Sequence, residues 1–166
     1  MLVIDKIDLR LKGLRKYVDQ IRDAKFKTEI GFLKNATYPD GKQVAYIAYL
    51  NEFGDHNPPR PFMKRTVEKQ LNKWTKLFCY TLKAEGVSRQ SIYSAHKKVG
   101  IVAVGDVKKT ISEWNPSDPR YNKPATIRRK ARRARGGKGL VPIDPVTALI
   151  DSGVMIKSVE SRVTDA

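Results

Sequence analysis

The stretch PFMKRTVEKQLNKWTKLFCYTLKA, residues 61–84, decides the fold. Met63, Val67, Leu71, Trp74, Phe78 and Leu82 step by 4, 4, 3, 4 and 4. Such spacing returns to one face of a helix of 3.6 residues per turn. It predicts a long amphipathic helix from Pro61 to about Ala84. Pro61 suits its first position, where a missing N–H costs nothing. Cys79, one step from Phe78, reads as a small core or flank residue, not as a nucleophile.

Working back toward the N-terminus, Asn57-Pro58-Pro59-Arg60-Pro61 is too rich in proline to be helical. Before it, Val44, Ile47 and Ala48 share a helical face with Leu50 and Phe53 beside it. Gly54, lacking a Cβ, is a natural left-handed cap. Tyr38-Pro39-Asp40-Gly41 has the chemistry of a type I turn. Phe26, Thr28, Ile30 and Phe32 alternate with Lys25, Lys27, Glu29 and Gly31, the period of a half-buried strand. Ile7, Leu11, Leu14, Val18 and Ile21 predict a further amphipathic helix over Lys6–Asp23.

Toward the C-terminus, Glu85-Gly86 ends the long helix and Ser88 is placed to cap another. Ile92, Ala95, Val99, Val102, Val107, Ile111 and Trp114 mostly keep a helical spacing. Gly100 and Gly105 oppose it by roughly 1 kcal/mol each against Ala. A short strand over Val99–Val104 is the rival, but the pattern runs well past it, which favours helix. Glycines on a helix face also admit close packing of a neighbouring backbone. Asn115 to Pro124 is a loop with three prolines. From Thr126 a short helix carries the basic residues until Gly136, Gly137 and Gly139 break it. This arm has almost no large apolar side chain, so it is expected to be mobile without a partner. A turn or short helix over Pro145–Asp151 precedes Gly153. Val159, Ser161 and Val163 then alternate with Glu160 and Arg162 as a closing strand. The two strands pair into a small antiparallel sheet packed against long amphipathic helices, an α+β fold with a mobile basic loop. One domain spans residues 1–166, with the basic arm at 124–140 as an internal loop.

The chain has 166 residues, with 33 Lys and Arg against 17 Asp and Glu, a formal charge of +16. Arg128, Arg129, Lys130, Arg132, Arg133, Arg135 and Lys138 supply seven of those cations with no acid among them. Without them the balance is still +9 (26 − 17), so the body is basic as well. This calls for a negatively charged partner: nucleic acid, an acidic protein surface or an anionic membrane. A solvated basic loop that only aids solubility is the plain alternative. The longest notable apolar run, Val99–Val104, is far short of the roughly 20 residues that span a bilayer. Charges among the first fourteen residues leave no uninterrupted signal-peptide core. The single Cys79 allows no internal disulfide, which fits synthesis in a reducing cytoplasm.

No convergent catalytic set is visible. His56 and His96 do not sit at ligand spacing with each other or with Cys79. Gly136-Gly137-Lys138-Gly139 lacks the spacing, the following Ser or Thr and the preceding strand of a phosphate loop. Glu52 and Asp55, at a helix end, suit capping or pairing with bases better than acid–base work. The aromatics follow core periodicity and do not interleave with the arm, so a single-strand stacking platform is missing. The chain therefore reads as no enzyme, with no cofactor, no metal and no small-molecule substrate.

Two blocks carry a resemblance. One runs from Tyr38-Pro39-Asp40-Gly41 through Val44–Gly54, ending Asn51-Glu52-Phe53-Gly54, into Pro58-Pro59-Arg60-Pro61-Phe62. The other is Pro145 to Asp151-Ser152-Gly153, continuing through Lys157-Ser158-Val159. Their order resembles the tail-completion and head–tail joining proteins of tailed bacteriophages, the lambdoid minor tail proteins among them. Val154-Met155 stands where that pattern has a polar residue and Leu. The resemblance implies a structural virion protein made in the host cytoplasm. It implies a ring, hexameric by analogy, that joins neck and tail around the DNA channel and docks on the tail terminator or neck protein. Glu52, Phe53, Arg60, Pro61 and Phe62 then form part of the subunit contact, since Phe and Arg favour interfaces and a proline-stiffened loop loses little entropy there. The seven arm cations are candidates for contact with channel DNA or an acidic neighbour. A sequence-independent nucleic-acid-binding protein is the alternative.

Overall fold

The alternation of Phe26, Thr28 and Ile30 with Lys27 and Glu29 becomes strand β1, Phe26–Gly31. Strand β2, Glu160–Asp165, lies antiparallel to it, from Phe26 opposite Asp165 to Gly31 opposite Glu160. The computed structural model describes residues 18–19, 21–55, 58–114, 124–135, 149–150 and 152–165, with the side chains of 133–135 outside that description. On the solvent face of this ribbon, hydrogen bonds from the Lys27 ammonium and the Arg162 guanidinium hold the Glu29 carboxyl down at about 2.

A two-stranded ribbon is marginal alone and needs a helix to cover it. The helices are α1 (Val44–Phe53), α2 (Phe62–Glu85), α3 (Arg89–Ser112), α4 (Pro124–Arg135) and the single turn α5 (Val154–Lys157). Helix α3 does the covering. Gly100 is buried against the sheet, and a Cβ added there would lie 2.8 Å from Ser161 Oγ and 3.1 Å from Ser161 Cβ. The continuous helix through Val99–Val104 agrees with the sequence pattern, and Gly100 is the close packing it allowed. Ser88 caps α3: its Oγ accepts the Ser91 N–H at 3.1 Å while Ser91 Oγ accepts the Ser88 N–H at 2.8 Å. Across the sheet, the Thr28 hydroxyl and His96 Nδ1 share a 2.8 Å hydrogen bond. The rings of Phe26 and Phe78 meet the same imidazole edge-on.

The other side of α3 packs on α2. Here the sequence expectation is corrected. Of the predicted stripe, Met63 packs against the core and Trp74 is buried, but Val67 and Leu71 turn outward at 41% and 54% exposed, and Phe62, Thr66 and Thr81 are buried in their place. The seam is partly polar. The Thr66 and Thr110 hydroxyl oxygens lie 2.8 Å apart, and Trp74 Nε1 donates to Asp106 Oδ2 at 2.8 Å. Threonines on the same helix face bond their own i−4 carbonyls, Phe62 and Leu77, so they are buried without penalty. A count of apolar side chains does not see them. Cys79 lies on the exposed side of α2.

The main core joins α1, α2, α3 and the C-terminal segment through Val44, Ala48, Phe62, Val107, Ile111, Trp114, Leu149, Met155 and Val159. The Tyr38–Gly41 turn closes with the Gly41 N–H on the Tyr38 carbonyl at 2.9 Å, and Gly54, at φ 79°, ends α1. The architecture is α+β: a two-stranded antiparallel sheet with long helices packed against it. The basic arm, bounded at 124–140 as an internal loop, carries the short helix expected from Thr126, which starts two residues earlier and runs over Pro124–Arg135. Its Ala and Arg residues are strong helix formers, and Pro124 sits where proline starts helices. Residues 18–19 and 21–22 are helical, while most of the predicted Lys6–Asp23 helix lies outside the described residues, as do the 115–123 loop and most of Pro145–Asp151. Among the described residues, no helix is long and apolar enough to cross a membrane.

Two predictions follow from α3. Gly100→Leu should cost about 1–3 kcal/mol by overpacking against Ser161. Gly105→Ala, with open space around it, should gain up to about 1 kcal/mol. Urea denaturation measures both, and equal effects would place the sheet elsewhere. His96 gives the second. Burial pushes its imidazole below the ordinary value of 6.5. The unfolded chain therefore binds the proton more readily, so stability is fully present above about pH 6.5 and falls as pH drops below it. The thermal midpoint of wild type should decline between neutral and mildly acidic pH more steeply than that of His96→Asn.

Candidate docking surfaces

The bend between α1 and α2 is built from bonds to its own neighbours. The Glu52 carboxylate accepts the Met63 N–H on Oε2 and the Lys64 N–H on Oε1, each at 2.9 Å. Both are first-turn N–H groups of α2, left over because a helix start has no carbonyl for them. A carboxylate there also meets the positive end of the helix dipole. Asn51 Nδ2 donates to the Ile47 carbonyl at 2.8 Å, and the Asn51 carbonyl accepts the Arg60 N–H at 2.6 Å. Arg60 Nη1 reaches Asn51 Oδ1 at 3.4 Å, and Arg60 is 9% exposed. Phe62 is fully buried and meets the Phe32 ring edge-on.

Of the five residues the sequence offered as a contact, only Phe53 turns fully outward. Glu52 caps α2, Arg60 is stitched to Asn51, Phe62 is core and Pro61 is half-buried. The residue types were those of an interface, but local backbone groups consume them first. Phe53 has companions that the sequence reading missed. Tyr46, Tyr49 and Phe53 are 56%, 58% and 67% exposed, and the Tyr49 and Phe53 rings lie 4.8 Å apart. At about 100° per residue, positions 46 and 53 fall nearly opposite the buried pair Val44 and Ala48, with 49 beside them. Helix α1 is thus apolar or aromatic on both sides. The signal was present: Glu52 is the sole Asp, Glu, Lys or Arg in Val44–Phe53. A helix hydrophobic all round is normally buried all round.

The arm divides too. Arg128, Arg129 and Arg132 are exposed and have no ion pair or hydrogen bond among the described residues. Lys130 is turned inward, 5% exposed, with Nζ donating to the Ile150 carbonyl. It leaves the set of surface cations. Arg133 and Arg135 belong to α4, but their side chains lie outside the described residues, as do Lys138 and the glycines around it.

A cleft of about 230 Å³ between α2 and α3 is lined by Arg65, Lys69, Asp106, Lys109, Glu113 and Trp114, among others. Its charges largely answer one another. Loss of solvent alone would raise the Asp106 carboxyl, but bonds from the Lys73 ammonium and the Trp74 indole outweigh that and hold it below the usual carboxylate range. Arg65 lies over the Trp114 ring, 5.3 Å from its centroid. Among the described residues, no group of three His, Cys, Asp or Glu is placed to hold a metal ion. His56 lies outside the described residues, and the Glu52 carboxylate is taken up by the first turn of α2. Comparison of the chain with protein-family models, curated proteins and solved structures gave no match.

Glu52→Ala should therefore lower the stability of the isolated chain by about 1–2 kcal/mol, the range for losing a helix cap. Urea denaturation checks this. A residue serving only a partner would leave the isolated chain unchanged.

Proposed function

We propose that this chain is a structural subunit of the head–tail joint of a tailed bacteriophage. Copies pack head-to-tail into a ring, of six by analogy, that docks on the tail terminator or neck protein and surrounds the DNA channel. The observation that carries the reading is the exposed aromatic stripe of α1. Tyr46, Tyr49 and Phe53 form a nearly charge-free surface on a chain of charge +16. Interface centres have that composition: aromatic residues enriched, charge depleted. A closed ring needs two unlike surfaces on each copy. The outward Val67 and Leu71 of α2 supply an aliphatic surface to set against the aromatic one. The resemblance of Tyr38–Phe62 and the Ser152-Gly153 segment to phage tail-completion proteins supplies the setting. In this reading the protein works by adhesion and carries out no chemistry, and its place is the virion neck.

The test uses Tyr49→Lys combined with Phe53→Lys. Both side chains are exposed, so folding stability should stay within about 1 kcal/mol of wild type. Oligomerisation by size exclusion with light scattering, in the presence of the neighbouring tail proteins, should be lost, and so should incorporation into particles. Normal incorporation of the double variant would overturn the reading. So would a wild-type chain that stays monomeric beside its neighbours and is missing from purified particles.

A further inference from the structure

Helix α4 sorts its cations by side. Taking Arg128 as zero, a helix of 3.6 residues per turn places Arg132 and Arg129 within about 100° of it and Lys130 about 200° away. The burial follows this geometry: the three arginines are exposed and Lys130 is not. Burying an ammonium is costly unless it is bonded. Here the Ile150 carbonyl, four residues before α5, receives it. That bond fixes the rotation of α4 about its own axis, so the arginine side is held outward by design of the fold. A basic helix that served only for solubility has no need to bury one of its own charges.

We infer that Arg128, Arg129 and Arg132 form a binding face for the phosphate backbone of duplex nucleic acid, oriented by the inward Lys130. The exposed described positions of α4 are Pro124, Ala125 and the three arginines. No aromatic or large aliphatic side chain stands among them to form the apolar centre that protein interfaces have around their arginines. Binding through this face is therefore almost wholly ionic, the mode of backbone contact. The three positions fall within about 6 Å along the helix axis, which suits a duplex carrying one charge per ~1.7 Å of its own axis. No aromatic residue stands in α4 for bases to stack on, so an intact duplex is favoured over a single strand. Held against the phosphate backbone, the arginines fix position and carry no sequence information of their own. The inference stands apart from the ring reading, because a monomer would bind as well.

The experiment measures binding of the full chain to a mixed-sequence duplex of about 20 base pairs between about 0.05 and 0.2 M salt, by fluorescence anisotropy. Three proteins are compared: wild type, the Arg128→Gln, Arg129→Gln, Arg132→Gln triple, and a Lys69→Gln, Lys76→Gln, Lys83→Gln triple on α2. The second triple removes the same charge from exposed positions elsewhere. Gln is a good helix former, and circular dichroism verifies that all three are folded. The arginine triple should lose at least about tenfold in affinity at the low-salt end, and its salt slope should be shallower by about 2–3. The lysine triple should match wild type. Four results would each overturn the inference. They are no duplex binding by wild type, equal losses in both triples, tighter binding to the single strand, and tighter arginine-dependent binding of polyglutamate than of duplex. Oligomeric state read on the same samples separates this outcome from that of the ring reading.

Discussion

Helix α3 has to be buried on two sides at once, and the rest of the molecule is arranged around that requirement. On one side it meets the ribbon of β1 and β2 at Gly100, close enough that a methyl group there would press on Ser161. On the other it meets α2 across Thr66–Thr110 and Trp74–Asp106. The ribbon has too few strands to form a core alone. The long α2 is held by its N-terminal cap and by this seam. Remove the close approach at Gly100 and the sheet loses its cover, and with it the register that brings Glu160–Asp165 to Phe26–Gly31.

The bend between α1 and α2 shows how internal demands sort side chains. Glu52, Asn51, Arg60 and Phe62 satisfy backbone groups or fill the core. What is left over on α1 is aromatic and has nowhere to go inside the chain. The same sorting acts on the arm, where Lys130 is taken inward and its arginine neighbours are left out. Function is to be sought among such remainders, because the fold makes no use of them.

Much of this was legible in the sequence. The period-two pattern of Phe26–Ile30, the Tyr38–Gly41 turn, the Ser88 cap and the two long helices depend on local rules and stood where those rules put them. The burial face of α2 was legible only in part: Met63 and Trp74 lie where the spacing put them, but the rest depends on threonines that bond their own helix and on Asp106, which lies 32 residues from its Trp74 partner. The helix in the arm was legible from intrinsic propensity, but its inward residue was not, because a lysine, Lys130, fills that place by bonding a distant carbonyl. The contact residues at the bend were misassigned for one reason. Sequence displays residue type, whereas a side chain's availability depends on whether a nearby N–H or core position claims it first.

The pairing of β1 with β2 joins residues separated by most of the polypeptide, Phe26 with Asp165 at the extreme. During synthesis the ribosome must deliver Glu160–Asp165 before the ribbon can close, so α3 waits with its sheet-facing side open to water. Nascent or prematurely terminated chains lack this closing strand and leave β1 unpaired. Closure of the ribbon is thus a long-range step, in which a wide loop must be bridged before the pairing stabilises anything.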